Sequence, residues 1–142
     1  MQVLIVHDSN AEIRRIGTEL IDKGFLVRGC SCRQLAETII ANTTIDLLIL
    51  PERLNDRYIT ALALLAEFTN PNVACIMLSD STRRRRAELF ELVPSLRAVM
   101  ATTPDIGLLS TLALQVVAKT GSETLVLLGG LTETMTAASK AA

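Results

Sequence analysis

The run Ile45–Leu50, IDLLIL, followed at once by Pro51, decides the architecture. Five of its six residues are apolar, and six residues are too few for an independent buried helix. A short run that is apolar at both odd and even positions suits a strand covered on both faces of a parallel sheet. Similar runs lie on either side: Gln2–Val6 (QVLIV), Phe25–Gly29 (FLVRG), Val73–Leu78 (VACIML) and Arg97–Ala101 (RAVMA).

Helical stretches with readable ends separate these strands. Ser9-Asn10-Ala11-Glu12 has the form of a capping box, with Ser9 accepting from a free backbone N–H and Glu12 reaching back. Ile13, Ile16, Gly17 and Leu20 then keep one helical face, and Gly24 is a natural stop. Ser31-Cys32-Arg33-Gln34 repeats the capping form, with Leu35, Ala36 and Ile39 as the buried stripe. A third helix is predicted over Arg57–Phe68, before Thr69-Asn70-Pro71-Asn72, and a fourth from Asp80 or Ser81 to a point before Pro94. The fifth has Thr103 as N-cap and Pro104 at its first position, followed by Leu109, Leu112 and Val116.

Five alternations of strand and helix imply an α/β fold: a five-stranded parallel sheet in flavodoxin-like order 2-1-3-4-5. Helices 1 and 5 are expected on one face and 2, 3 and 4 on the other. A length of 142 residues suits one domain. It is expected over residues 1–120, with 121–142 as a C-terminal extension or linker, because the pattern breaks after Lys119. There Gly121-Ser122-Glu123 reads as a turn, Thr124–Leu128 as a short apolar element, and Gly129-Gly130 as a second break.

Composition narrows the function classes. Hydrophobic residues at 49% and charged residues at 20% exclude a disordered segment. No apolar run approaches the ~18 residues of a membrane span, and no charged leader precedes an apolar stretch. A net charge of −1 gives no overall field towards nucleic acid, so such contact is expected only indirectly or through an output domain. Three cysteines without a CxxC pair and a single histidine point away from a disulfide framework or a zinc site. A cytoplasmic setting is the expectation.

In this architecture ligands bind outside the carboxyl ends of the strands. The residues arriving there are His7 and Asp8, Pro51 and Glu52, Ser79 and Asp80, and Ala101 and Thr102. The stretch VLIVHDSNAEIRRIGTELIDKGFLVRGCSC, then IDLLILPERL, then ACIMLSD, resembles the receiver domain of bacterial response regulators over about residues 1–118. That resemblance implies a phosphoacceptor aspartate ending the third strand and an acidic pair holding Mg²⁺ at the end of the first. It also implies a hydroxyl ending the fourth strand and a lysine ending the fifth. The acidic pair falls on His7 and Asp8, the phosphoacceptor on Pro51, the hydroxyl on Ser79 and the lysine on Ala101. The fifth-strand aromatic position falls on Ala98.

Only Asp8 and Ser79 keep the chemistry of that pattern. Mg²⁺ wants near-octahedral oxygen ligation, which one carboxylate beside His7 supplies poorly. Pro51 has no oxygen nucleophile, and Ala101 brings no positive charge to a phosphoryl transition state. A degenerate, phosphorylation-independent receiver is therefore expected, with no enzyme activity, cofactor or metal. Asp8 and Ser79 remain as capping or loop-bracing groups. Glu52, one residue past the phosphoacceptor position, should point to the other face of a regular strand. It reads, like Asp56, as a solvated loop acid.

Two features could carry interaction. Arg83-Arg84-Arg85-Arg86 spreads around a helix start, where positive charge opposes the macrodipole. This run is expected to meet a protein partner or a second copy, giving a symmetric dimer through the fourth and fifth helices. Cys30 and Cys32, at the passage from second strand to second helix, support an alternative reading. In it the domain senses a small ligand or redox state, with Cys32 reactive at a helix N-terminus and Cys75 inert in the core.

Overall fold

The structure, a computed structural model, describes residues 1–122. Five strands form one parallel sheet: β1 (Gln2–Val6), β2 (Leu26–Cys30), β3 (Leu47–Pro51), β6 (Ala74–Leu78) and β7 (Leu96–Met100). Their order is β2-β1-β3-β6-β7, which is the expected 2-1-3-4-5. A two-residue pair, β4 (Arg53–Leu54) and β5 (Arg57–Tyr58), forms a small antiparallel hairpin after β3. The helices are α1 (Asn10–Asp22), α2 (Arg33–Asn42), α3 (Thr60–Thr69), α4 (Arg83–Leu92) and α5 (Ile106–Ser122).

Side-chain alternation along the strands divides the interior into two layers. Leu4, Val6, Leu48, Leu50, Cys75 and Met77 face Ala36 and Ile40 of α2, Leu62, Ala63 and Ala66 of α3, and Leu89 of α4. Val3, Ile5, Leu47, Ile49, Ala74 and Ile76 face Ile16 and Leu20 of α1 and Leu109, Ala113, Val116 and Val117 of α5. The helices thus fall as expected, one and five against two, three and four.

Element boundaries depart from the sequence reading where local chemistry overrides periodicity. At α1, Ser9 caps as expected, its Oγ accepting from the Glu12 N–H at 3.3 Å. The reciprocal half of the box is absent: Glu12 binds Arg15, and the Ser9 N–H donates to His7 Nδ1 at 2.9 Å. Gly24 ends the α1 turn with φ of 96°, a left-handed conformation that glycine adopts without strain. The second capping box does not form, since Cys32 is the N-cap and makes no side-chain cap bond.

Helix α3 begins at Thr60 instead of Arg57, because residues 53–58 are taken by the hairpin. Asn55 and Asp56 sit at φ of 53° and 66°, the type I′ turn that suits a two-residue hairpin loop. The N-cap of α4 is Thr82, not Asp80 or Ser81, with Thr82 Oγ1 accepting from the Arg85 N–H. At α5 the Asp105 carboxylate caps the Leu108 N–H at 2.9 Å, so the helix starts after Thr103 and Pro104. Helix α5 continues through Ser122, past the expected turn; the apolar Thr124–Leu128 segment and Gly129-Gly130 lie outside the described residues.

Strand β2 approaches α1 closely at Gly29, where an added Cβ would overlap the branched Ile13 side chain. At Gly17 the same addition meets Val27 Cγ1 at an ordinary 3.4 Å. Gly29→Ala is therefore expected to lose about 1–3 kcal/mol of stability by overpacking. Gly17→Ala, inside a helix, should be neutral or gain about 0.5–1 kcal/mol. Denaturant unfolding of the two variants separates them, and equal effects would contradict this packing.

Candidate functional site

Parallel strands bring their carboxyl ends to one edge, and there β3, β6 and the loop after β7 form an open cleft of about 290 Å³. Its lining joins Pro51, Glu52 and Ser79 to Arg53, Tyr58, Asp80 and Thr102. His7, Asp8 and Ala101 arrive at the same sheet edge but do not line it.

Glu52 dominates the cleft, which corrects its reading as a solvated loop acid. Its side chain is only 12% exposed. Backbone bonds tie it on both sides, its N–H to the Leu78 carbonyl and its carbonyl to the Ile59 N–H. Oε1 accepts the Ser79 hydroxyl proton at 2.9 Å, and Oε2 accepts from Arg85 Nε at 2.7 Å. Ser79 Oγ in turn accepts from the Ser81 N–H, so its one proton is committed to Glu52.

Arg85 reaches down from the first turn of α4 and also binds Glu88 at 3.2 Å. The Glu52 bond first, then Glu88, pushes the Arg85 guanidinium above its usual range, so it stays cationic. Its guanidinium carbon sits 5.7 Å from the centre of the Tyr58 ring, and that of Arg53 lies 5.5 Å from the same ring. Both are within cation–π reach. The hairpin, the β3 terminus and α4 are thereby joined through side chains.

A second link crosses the cleft mouth. The Asp80 carboxylate accepts from the Thr102 hydroxyl at 2.6 Å and from its N–H at 3.1 Å. Those bonds, the hydroxyl first, hold the Asp80 carboxyl below its ordinary value.

At the end of β1, Asp8 Oδ1 lies 3.3 Å from His7 Nδ1, the nitrogen that already accepts from the Ser9 N–H. One lone pair cannot accept from Ser9 and also carry a proton for Asp8. The 2.9 Å bond is the better formed, so the His7–Asp8 contact is not an ion pair. Among the described residues no three His, Cys, Asp or Glu side chains gather into a cation site. The Mg²⁺ that receivers use does not fit these residues, because Asp8 stands alone and Pro51 offers no oxygen side chain.

The arginine run divides. Arg85 serves Glu52, and Arg86 donates to the Ser81 carbonyl at 3.4 Å. Arg83 and Arg84 are exposed and have no ion-pair partner among the described residues. Cys30 and Cys32 are both free thiols. Cys30 is buried with its thiol pushed up by desolvation, and exposed Cys32 donates its S–H to Gln34 Oε1. Burial likewise drives the Cys75 thiol up to about 12, in keeping with its expected inertness.

No protein-family model matches the chain, and no curated protein matches its sequence. Solved structures do match. The CheY-like receiver domain protein of Methanospirillum hungatei superposes with a TM-score of 0.76 at 18% identity, over 87% of this chain and 98% of its own. A response regulator receiver protein from Sinorhizobium medicae gives 0.74 at 20% identity, over 84% and 96%. The receiver domain of a Francisella response regulator gives 0.73 at 16% identity, over 84% and 98%. The chain has the receiver-domain fold. Among its described residues, no helix is long and apolar enough to cross a membrane.

Within this receiver fold Pro51 and Ser79 line the cleft, and sequence reasoning missed the parts played by Glu52, Tyr58 and Thr102. Glu52 and Arg85 stand 33 positions apart, and no periodicity in the chain links them.

Two outcomes follow from this site. Because its folded carboxyl is depressed, Asp80 contributes stability above its ordinary value of 3.8 and loses it as pH falls through the lower folded value. Melting curves of Asp80→Asn should thus differ from the parent above about pH 4 and converge with it in stronger acid. A gap that persists or widens in acid would contradict the assignment. Millimolar Mg²⁺ should leave the melting temperature unchanged, and a rise that Asp8→Ala abolishes would count against the poor fit.

Proposed function

We propose that this chain is a receiver-fold signalling module that acts without phosphoryl transfer, presenting α4 as a protein-interaction face. The observation that carries the reading is the Glu52 carboxylate bound to both Ser79 and Arg85. In the resemblance, the hydroxyl at the Ser79 position grips a phosphoryl oxygen; here a carboxylate of the chain already takes its proton. The same carboxylate draws in the first turn of α4, a charge-assisted bond that needs no covalent modification. Pro51 at the phosphoacceptor position and Ala101 at the lysine position belong to the same account.

Signalling by such a module works through surfaces already formed, since no phosphorylation equilibrium shifts its states. Arg83 and Arg84, free of ion pairs among the described residues, are the part of the run offered to an acidic protein partner. Arg85 belongs to the interior link, so it is not a clean probe of that face.

Incubation with a small phosphodonor and Mg²⁺ should add no phosphoryl mass; a stoichiometric adduct would end the reading. Glu52→Ala should cost about 1–2 kcal/mol, the lower part of the range for a broken polar pair because Arg85 is partly exposed. It should also raise amide hydrogen exchange across Ser81–Arg86. Unchanged exchange there would mean that Glu52 does not hold α4.

A further inference from the structure

The cleft at the carboxyl edge has more hydrogen-bonding capacity than the chain itself uses. Asp80 Oδ1 accepts the Thr102 N–H and Oδ2 accepts the Thr102 hydroxyl proton, which leaves each oxygen a lone pair. Thr102 Oγ1 has given its proton away, so towards a ligand it can only accept. Asp80 and Thr102 are both exposed. Every open side-chain atom of this pair is an acceptor, and the pair carries a negative charge. Its complement is a cation with several N–H donors.

Arg53 brings the opposite character to the same lining. Its guanidinium carbon lies 5.5 Å from the centre of the Tyr58 ring and makes no ion pair among the described residues. Arg85, by contrast, already spends its donors on Glu52 and Glu88. A ring takes no bidentate hydrogen bond, so the fork of Arg53 stays open to a carboxylate. Pro51 and Leu78 add apolar surface to the lining. Ser81 lines the cleft too, and its Oγ is shut off from solvent without a hydrogen-bond partner among the described residues. Buried hydroxyls are normally bonded, and the chain offers this one nothing.

We infer that this cleft binds a free amino acid with an apolar side chain. Its ammonium donates to the Asp80 carboxylate and Thr102 Oγ1, its carboxylate takes the fork of Arg53, and its side chain lies on Pro51 and Leu78. A ligand with only a positive charge leaves Arg53 facing a like charge, and one with only a negative charge sets it beside Asp80. A zwitterion satisfies both. The volume of about 290 Å³ is at the small end of ligand pockets, roughly 300–1,000 Å³, and suits a molecule of this size.

His7, Asp8 and Ala101, which the receiver resemblance gives to metal and phosphoryl chemistry, do not line this cleft. The inference goes beyond the signalling role proposed above and does not need it, since binding is measured with no phosphodonor present.

The test is a titration of the full chain, followed by amide chemical shifts, with leucine, valine and methionine. Two fragments of leucine accompany them: isoamylamine, which lacks the carboxylate, and isocaproate, which lacks the ammonium. At least one of the amino acids should shift the Arg53, Ser81 and Thr102 amides saturably at millimolar concentration, and the fragments should bind about tenfold more weakly or worse. Arg53→Gln should weaken amino-acid binding about tenfold and remove the preference over isoamylamine. Asp80→Asn should weaken it similarly and remove the preference over isocaproate. Arg83→Gln, outside the lining, should change neither. All three side chains are exposed, and unchanged amide shifts away from the cleft verify the folds. No saturable shift with any of the three amino acids would overturn the inference. So would a fragment that binds as tightly as its parent, or binding indifferent to Arg53→Gln.

Discussion

Everything else in this molecule depends on the burial of β3. Leu47, Leu48, Ile49 and Leu50 are each 0% exposed, with alternate side chains sent into opposite layers. A strand in that condition must be paired on both edges and roofed on both faces, because unpaired backbone groups in such surroundings cost too much. β1 and β6 supply the edges, α1 and α5 one roof, and α2, α3 and α4 the other. Parallel pairing then carries every strand's carboxyl end to a single edge. The edge where chemistry can occur is thus a consequence of how the core is filled.

At that edge one carboxylate organises what surrounds it. Glu52 is mostly out of water, and a buried carboxylate is tolerable only when its oxygens are occupied. Ser79 and Arg85 occupy them, and the cost of leaving Glu52 unpaired is what fixes the β6–α4 loop and the start of α4. Arg85 then lies against Tyr58, which Arg53 covers from the hairpin, so side chains tie α4 to the β3 terminus and the hairpin that follows it. A receiver fold can keep its architecture while the chemistry at its edge changes, since the core and the edge are held by different residues.

The outer surfaces divide by the kind of energy they offer. Around the start of α4 it is electrostatic, directional and weakened by salt; along α3 it is apolar and needs only a matching shape.

Read alone, the chain determined the fold class, the strand order and the division of helices between faces. These follow from short apolar runs such as VLIV and LLIL and from turn signals between them, each expressed within a few residues. It also placed Pro51, Ser79 and Ala101 at the carboxyl edge, since position along a strand is a local property. Helix starts were less legible where a competing side chain took the role, as with Thr82, Asp105 and the hairpin ahead of α3. What only the tertiary structure decided is where each charge goes. Nothing local in PERLNDRY sends Glu52 inward, and the direction is set by Arg85, 33 residues away, brought alongside by the packing of α4 on β6 and β7. Equally, the apolar character of α3 is plain in its sequence, but which side remains in water depends on the sheet beneath it. Periodicity is written in neighbouring residues, whereas burial and charge pairing are properties of the assembled chain.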